Sequence, residues 1–151
     1  MTVRVQREDF DLGAEVRRLT AGRVEVGAVA TFTGLCRGQT GATTVGAMTL
    51  ETYEAMAVAE LQRIEDEARS RWPLTDVLVV HRFGRMEPGD NIVMVVTLSE
   101  HRQAAFAAAE FIMDFLKTRA PFWKFEETGE AGGWVAAKDG DDAAADRWTS
   151  S

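Results

Sequence analysis

The sequence predicts an α+β domain. Two long stretches, 54–72 and 100–119, repeat apolar residues every three or four positions, the period of a helix face. Short runs rich in β-branched residues lie between and around them, as strands require. A proline–glycine turn, Glu87-Pro88-Gly89-Asp90, joins two of these runs into a long antiparallel hairpin.

Taken in order, residues 3–6 read as a short strand. Asp11 can cap a helix running to about Thr20, with Leu12, Val16 and Leu19 on one face. VEVGAVATFTG, 24–34, reads as a buried strand; LCRGQTGATT, 35–44, as a loop; VGAMTLETY, 45–53, as the next strand. Ala57, Leu61, Ile64, Ala68 and Trp72 form the stripe of the first long helix, which Pro73 ends. VLVVHRFG, 77–84, and NIVMVVTLS, 91–99, are the arms of the hairpin. Ser99 is placed to cap the second long helix, from Glu100 to about Arg119, which Pro121 stops. FWKFEET, 122–128, and WVAAK, 134–138, read as strands around a turn at Gly132-Gly133. The acidic remainder, DGDDAAADRWTSS, is either a terminal helix turn or a loose tail.

At 151 residues, with 46% hydrophobic and 27% charged positions, a single domain over 1–151 is expected. A net charge of −7 argues against a general binder of nucleic acid or anionic membrane. It leaves room for a local anion pocket. No apolar run approaches the roughly 20 residues that span a bilayer, and the N-terminus has no signal-peptide core, so the cytoplasm is the expected location. One cysteine, Cys36, and two distant histidines, His81 and His101, argue against a disulfide and a zinc cluster.

Three basic groupings stand against this acidic background. Arg37 follows a strand, between Gly34 and Gly38, where a backbone could approach an anion closely; taken alone, these residues favour the plainer reading of a surface arginine in a flexible loop. His101 and Arg102 open the second long helix, where cations oppose the dipole; they imply either an anion between them or pairing with an acid such as Glu100. Lys117 and Lys124 lie in KTRAPFWK, in a chain with few lysines. A lysine can lose its proton and act as base or nucleophile, which arginine practically cannot. A cation at a helix C-terminus also suits the dipole, and surface lysines aid solubility. Alternation sends Lys124 to the face opposite Trp123 and Phe125. Cys36 reads as a half-buried thiol, with a cysteine-dependent transferase as the sharper alternative. His81, inside an apolar strand, reads as a structural histidine. The four tryptophans and Phe106, Phe111 and Phe115 read as core or interface.

The segments FTGLCRG, LETYEAMA, HRFGRMEPGD, SEHRQAAFAAAEFIMDFLKTRAPFWKFE and WVAAKD closely resemble the large, catalytic subunit of molybdopterin synthase, from about Val24 to Trp148. The resemblance implies an α/β hammerhead fold, a dimer of large subunits and a heterotetramer with two small ubiquitin-like subunits. Each small subunit ends in a Gly-Gly thiocarboxylate, the sulfur source. The implied substrate is cyclic pyranopterin monophosphate and the product is molybdopterin, with no resident cofactor or metal. By the same resemblance Lys117 and Lys124 are catalytic, and Arg37, His101, Arg102, Phe125 and Glu126 bind substrate. Two positions vary from the pattern: Cys36, and Phe125 where a more polar residue is expected. The competing reading is a non-catalytic dimeric module that binds a phosphorylated metabolite or a protein tail.

Overall fold

The computed structural model describes residues 2–44, 46–128, 131–135 and 139–149. The chain opens with strand β1 (Val3–Gln6) and helix α1 (Leu12–Thr20). The Asp11 carboxylate caps α1 by accepting the Ala14 N–H, as expected. Strand β2 (Ala28–Leu35) follows, then the small hairpin β3 (Gln39–Thr40) and β4 (Thr43–Thr44), and β5 (Met48–Thr52). Helix α2 (Glu54–Arg71) leads to β6 (Leu74–Arg82), β7 (Gly84–Met86) and β8 (Asn91–Ser99). Helix α3 (Arg102–Arg119), β9 (Phe122–Thr128), β10 (Ala131–Val135) and α4 (Asp139–Asp146) complete the chain.

The main sheet has the order β1–β6–β8–β2, antiparallel except for the β1–β6 pair. Its central strands are buried on both faces, which explains their continuous apolar runs. Val77, Val79, Val93 and Val95 face α2 and α3, where they meet Leu61, Ile64, Phe111 and Ile112. Leu78, Val80, Met94, Val96 and Leu98 turn the other way and pack under Phe10 and Leu19. A second sheet, β10–β9–β5–β7, packs Met48, Leu50 and Met86 against Cys36 and Phe83, with Val5, Ile92 and Phe122 at the join.

Several expectations are corrected. The strand read at 24–34 begins at Ala28, and it is an edge strand, not a buried one. Gly27, just before it, donates its N–H to the Ser99 carbonyl, and a Cβ there would lie 2.3 Å from the Glu100 oxygen. Along the open edge Val29, Phe32 and Leu35 are exposed. The 35–44 segment is no plain loop: it holds the β3–β4 pair, turning at Gly41 with φ +61°. Ser99 does not cap α3. It ends β8 and donates to the Pro73 carbonyl at 2.9 Å, while His101 stands at the N-cap. Gly132 and Gly133 are not a turn: they pair with Glu127 and Glu126 inside β10, and the 136–138 part of the expected strand lies outside the described residues. Phe106 is exposed, whereas Phe111 and Phe115 are buried.

The acidic C-terminal segment is docked. Ala145 enters the main core, and Trp148 meets Trp72 and Phe111, each with ring centroids 5.6 Å apart. The Trp148 indole N–H donates to the Asp114 carboxylate at 2.6 Å. An indole with a partner for its N–H can bury its ring, and that fixes the end of the chain on α3. Among the described residues no helix is long and apolar enough to cross a membrane.

Candidate active site

Strand registers place the cationic residues. His81 and Val93 are partners, and Leu35 pairs with Asn91, so the ends of β6 and β2 lie at one end of the main sheet. Ser99, Ala28 and Leu74 mark the opposite end. Helix α3 starts at the Ser99 end and runs back. Its last turn carries Lys117 to the His81 end, where the lysine's charge is felt by the imidazole.

The chain then turns at Pro121, whose carbonyl accepts the Thr52 hydroxyl at 2.7 Å, and enters β9. Phe122 stacks on His81 with centroids 3.8 Å apart and planes at 20°. Phe122, Lys124 and Glu126 alternate onto one face of β9, opposite Thr52, Leu50 and Met48 of β5. The half-buried Lys124 ammonium lies 2.8 Å from the Glu126 carboxylate, and its field reaches Cys36. Arg37 follows Cys36 directly and is exposed at this same end. The structure therefore brings together Lys117, Lys124, Glu126 and the Arg37 loop.

Phe125 is not grouped with them. Strand alternation turns it to the outer face of β9, opposite Thr49 and with Trp123, as the alternation implied. On that face an open groove of about 420 Å³ is lined by Glu51, Thr52, Tyr53 and Trp123. Gly34 and Gly38 do not hold space for a ligand either. A Cβ on Gly34 would meet Val93 at 2.9 Å, and one on Gly38 would meet Pro88 at 2.9 Å. These glycines let the chain pack on itself.

His101 and Arg102 lie far from the lysines within one chain. Fifteen residues of one straight helix separate Arg102 from Lys117, about 22 Å at 1.5 Å per residue. Both are exposed; the nearest acid to His101 is Glu100, at 3.7 Å and equally exposed. No side chain caps this helix start and no acid occupies its first turn, so its N–H groups and dipole face outward with the two cations.

Two further residues complete the lysine end. His81 is only 5% exposed, and its Nδ1 lies 2.8 Å from the Arg82 carbonyl. A carbonyl can only accept, so Nδ1 carries the proton. Burial holds the ring's pKa down to about 4; the Arg82 carbonyl opposes this and Lys117 adds to it. His81 is thus uncharged at neutral pH, a structural histidine as read, stacked on Phe122 two residues before Lys124. Cys36 is buried, its thiol 3.9 Å from the Met86 carbonyl. Burial pushes the thiol up against the lowering field of Lys124, which disfavours a thiolate nucleophile. Among the described residues no group of three His, Cys, Asp or Glu side chains could hold a metal ion.

A mixed α+β domain with two lysines at one sheet end, and further exposed cations at the start of α3, has groups suited to an anionic substrate. The family model described as the MoaE protein matches residues 5–119. A Rhizobium meliloti protein named molybdopterin synthase catalytic subunit is 60% identical over 151 residues, covering 99% of this chain and 96% of its own. Among solved structures, the molybdopterin biosynthesis MoaE protein from Burkholderia ambifaria has a TM-score of 0.84 at 49% identity, covering 99% of both chains. Molybdopterin synthase from Staphylococcus aureus has a TM-score of 0.83 at 29% identity, covering 90% of this chain and 98% of that one. The chain belongs to the MoaE family of molybdopterin synthase catalytic subunits, and is an enzyme of molybdopterin synthesis.

Proposed function

We propose that this chain transfers sulfur from the C-terminal thiocarboxylate of a small ubiquitin-like subunit to cyclic pyranopterin monophosphate, building the dithiolene of molybdopterin. The observation that carries this reading is the convergence of Lys117 and Lys124 from two elements onto one end of the fold, beside the Arg37 loop. The thiocarboxylate sulfur attacks a carbon of the pterin side chain and forms the C–S bond as a C–O bond at that carbon breaks, the oxygen leaving as water or as the opened phosphate ester. Water then attacks the acyl carbon of the linked intermediate, leaving sulfur on the substrate and a carboxylate on the small subunit. A second tail repeats the sequence.

Lys117 holds the anionic tail and polarises its acyl carbonyl or moves a proton. Lys124, held by Glu126, balances charge on the substrate. No resident cofactor enters these steps, and the reaction belongs to the cytoplasm.

The substrate phosphate needs fixed positive charge, and here a second copy of the chain completes the site. The β2 edge is open and carries exposed Val29, Phe32 and Leu35. Edge-to-edge antiparallel pairing about a two-fold axis lays Ala28 of one copy beside Leu35 of the other. Ala28 adjoins Ser99, just before His101, while Leu35 leads to Arg37. Such a dimer carries His101 and Arg102 of the partner subunit toward Arg37 and the lysine end. With two small subunits it forms a heterotetramer.

The test is reconstitution. The purified chain, a thiocarboxylated small subunit and cyclic pyranopterin monophosphate are mixed, and dithiolene is measured. Product in proportion to enzyme is expected. Binding without conversion would overturn the reading in favour of a non-catalytic module.

A further inference from the structure

We infer that His81 is a positioning residue for this reaction: its buried ring, bonded to the Arg82 carbonyl on one side and stacked on Phe122 on another, fixes where Lys117 and Lys124 stand relative to each other. The inference rests on the reading of those two lysines as the working amines.

Lys117 and Lys124 belong to different elements, the last turn of α3 and the strand β9. The segment between them bends at Ala120 and Pro121, with the Phe122 N–H donating to the Ala120 carbonyl at 2.9 Å. Phe122 sits in that link, two residues before Lys124 and on its face of the strand. Its ring reaches the main sheet by lying flat on His81. His81 stands in β6, between Val5 of β1 and Val93 of β8, so the platform under Phe122 is the rigid sheet itself. The charge of Lys117, in the last turn of α3, is felt by the same imidazole. One ring therefore anchors the link that joins the two lysine-bearing segments.

An aliphatic residue would fill this space without a polar group to satisfy. The imidazole instead offers a flat face for Phe122 and an N–H that the Arg82 carbonyl holds, which sets the ring's rotation. Its lack of charge matters as well. Lys117 is the charged group that reaches it from α3; β9 presents Phe122, and β1 and β8 present Val5 and Val93. The neighbouring Arg82 guanidinium donates instead to the Arg7 carbonyl at 3.0 Å and the Asn91 carbonyl at 2.8 Å. A proton on His81 would set a like charge against Lys117 and push the amine from its place.

Two variants and one titration test this. His81→Asn keeps a donor near Nδ1 but loses the stacked ring; His81→Phe keeps a ring and loses the donor. With saturating thiocarboxylated small subunit, His81→Asn is expected to lower kcat about tenfold or more with KM for the pterin little changed, since small misplacements of reacting groups are costly. His81→Phe should recover part of that loss. A purely structural role would lower Tm and leave kcat of the folded fraction intact, and that result overturns the inference. The third arm follows the imidazole by ¹⁵N NMR in otherwise wild-type protein and in Lys117→Met. The Nδ1–H neutral tautomer is expected at neutral pH, with a titration midpoint that rises when the lysine is removed. An unmoved midpoint overturns the inference whatever the activity, including where His81→Asn does not fold. Wild-type protein without turnover would instead overturn the functional reading, and the Lys117→Met titration would still decide whether lysine and imidazole are coupled.

Discussion

The two ends of helix α3 carry the same kind of chemistry in opposite settings. At the C-terminal end Lys117 stands beside a buried imidazole, a stacked phenylalanine and the strand that bears Lys124. At the N-terminal end His101 and Arg102 stand in solvent, with an uncapped helix start behind them. The first is a site assembled within the chain. The second is an exposed pair of cations, about 22 Å from Lys117 along the helix, and in the proposed function it is half of a site. On the function proposed above, a single copy holds the amines for chemistry and the cations for the anion apart, and a second copy joins them.

The comparison can be broken most sharply at the built end. Lys117→Ala should keep the fold and small-subunit binding yet lose about 10²- to 10⁴-fold in product formation, the usual contribution of a placed acid–base group. Near-normal turnover with thiocarboxylated partner supplied would remove Lys117 from the mechanism. Lys117→Arg should not rescue if a proton moves, because a guanidinium holds its proton.

At the solvent end, Arg102→Ala should weaken pterin binding by about tenfold to a hundredfold, the range of a hydrogen bond to a charged group. Arg37→Ala should act in the same sense, and both effects should be larger at low salt. Titration calorimetry with the substrate measures this; unchanged affinity in both variants places the phosphate elsewhere.

A smaller effect separates the ends by pH. The His81 pKa is 6.5 unfolded and about 4 folded, so the unfolded chain binds the extra proton between these values. Stability from this group is complete above pH 6.5 and declines as pH falls toward 4, by about 3 kcal/mol in all at about 1.4 kcal/mol per pH unit. Asp9, Glu15 and Asp76, whose carboxyls are held below their usual range, add their own losses only at the acid end of this window. Urea unfolding at pH 6.5 and 5 should thus differ by about 2 kcal/mol in wild type and hardly at all in His81→Phe. Smallest is Trp148→Phe, which removes the indole donor to Asp114 one turn before Lys117. It should cost about 1 kcal/mol in the same assay and leave turnover of the folded enzyme unchanged.

Much of this was legible in the residues. Asp11 announced a cap, Glu87-Pro88-Gly89-Asp90 a turn, and Pro73 and Pro121 the ends of long helices; each acts through local geometry. Gly89 takes φ +93° at the turn's third position, as that turn type requires. Strands β3, β4 and β7 were not legible, because two or three residues show no period. Gly132-Gly133 misled because a glycine pair looks the same in a strand as in a turn. Lys117 and Lys124 were singled out by their motif, but the His81–Phe122 stack joins distant stretches and leaves no spacing to read. The separation of Arg102 from Lys117, by contrast, was already implied by the length of an unbroken helix.

Mixing two impaired variants, with pterin held well below its KM, tests the shared site most directly. Lys117→Ala and Arg102→Ala chains are unfolded and refolded together, and dithiolene formation is measured. If each site takes Lys117 from one copy and Arg102 from the other, the mixed dimer holds one intact site. Activity should then return to about one quarter of wild type, because about half the dimers are mixed and each has one working site of two. No recovery, with mixed dimers demonstrably present, would contradict a site built across two copies.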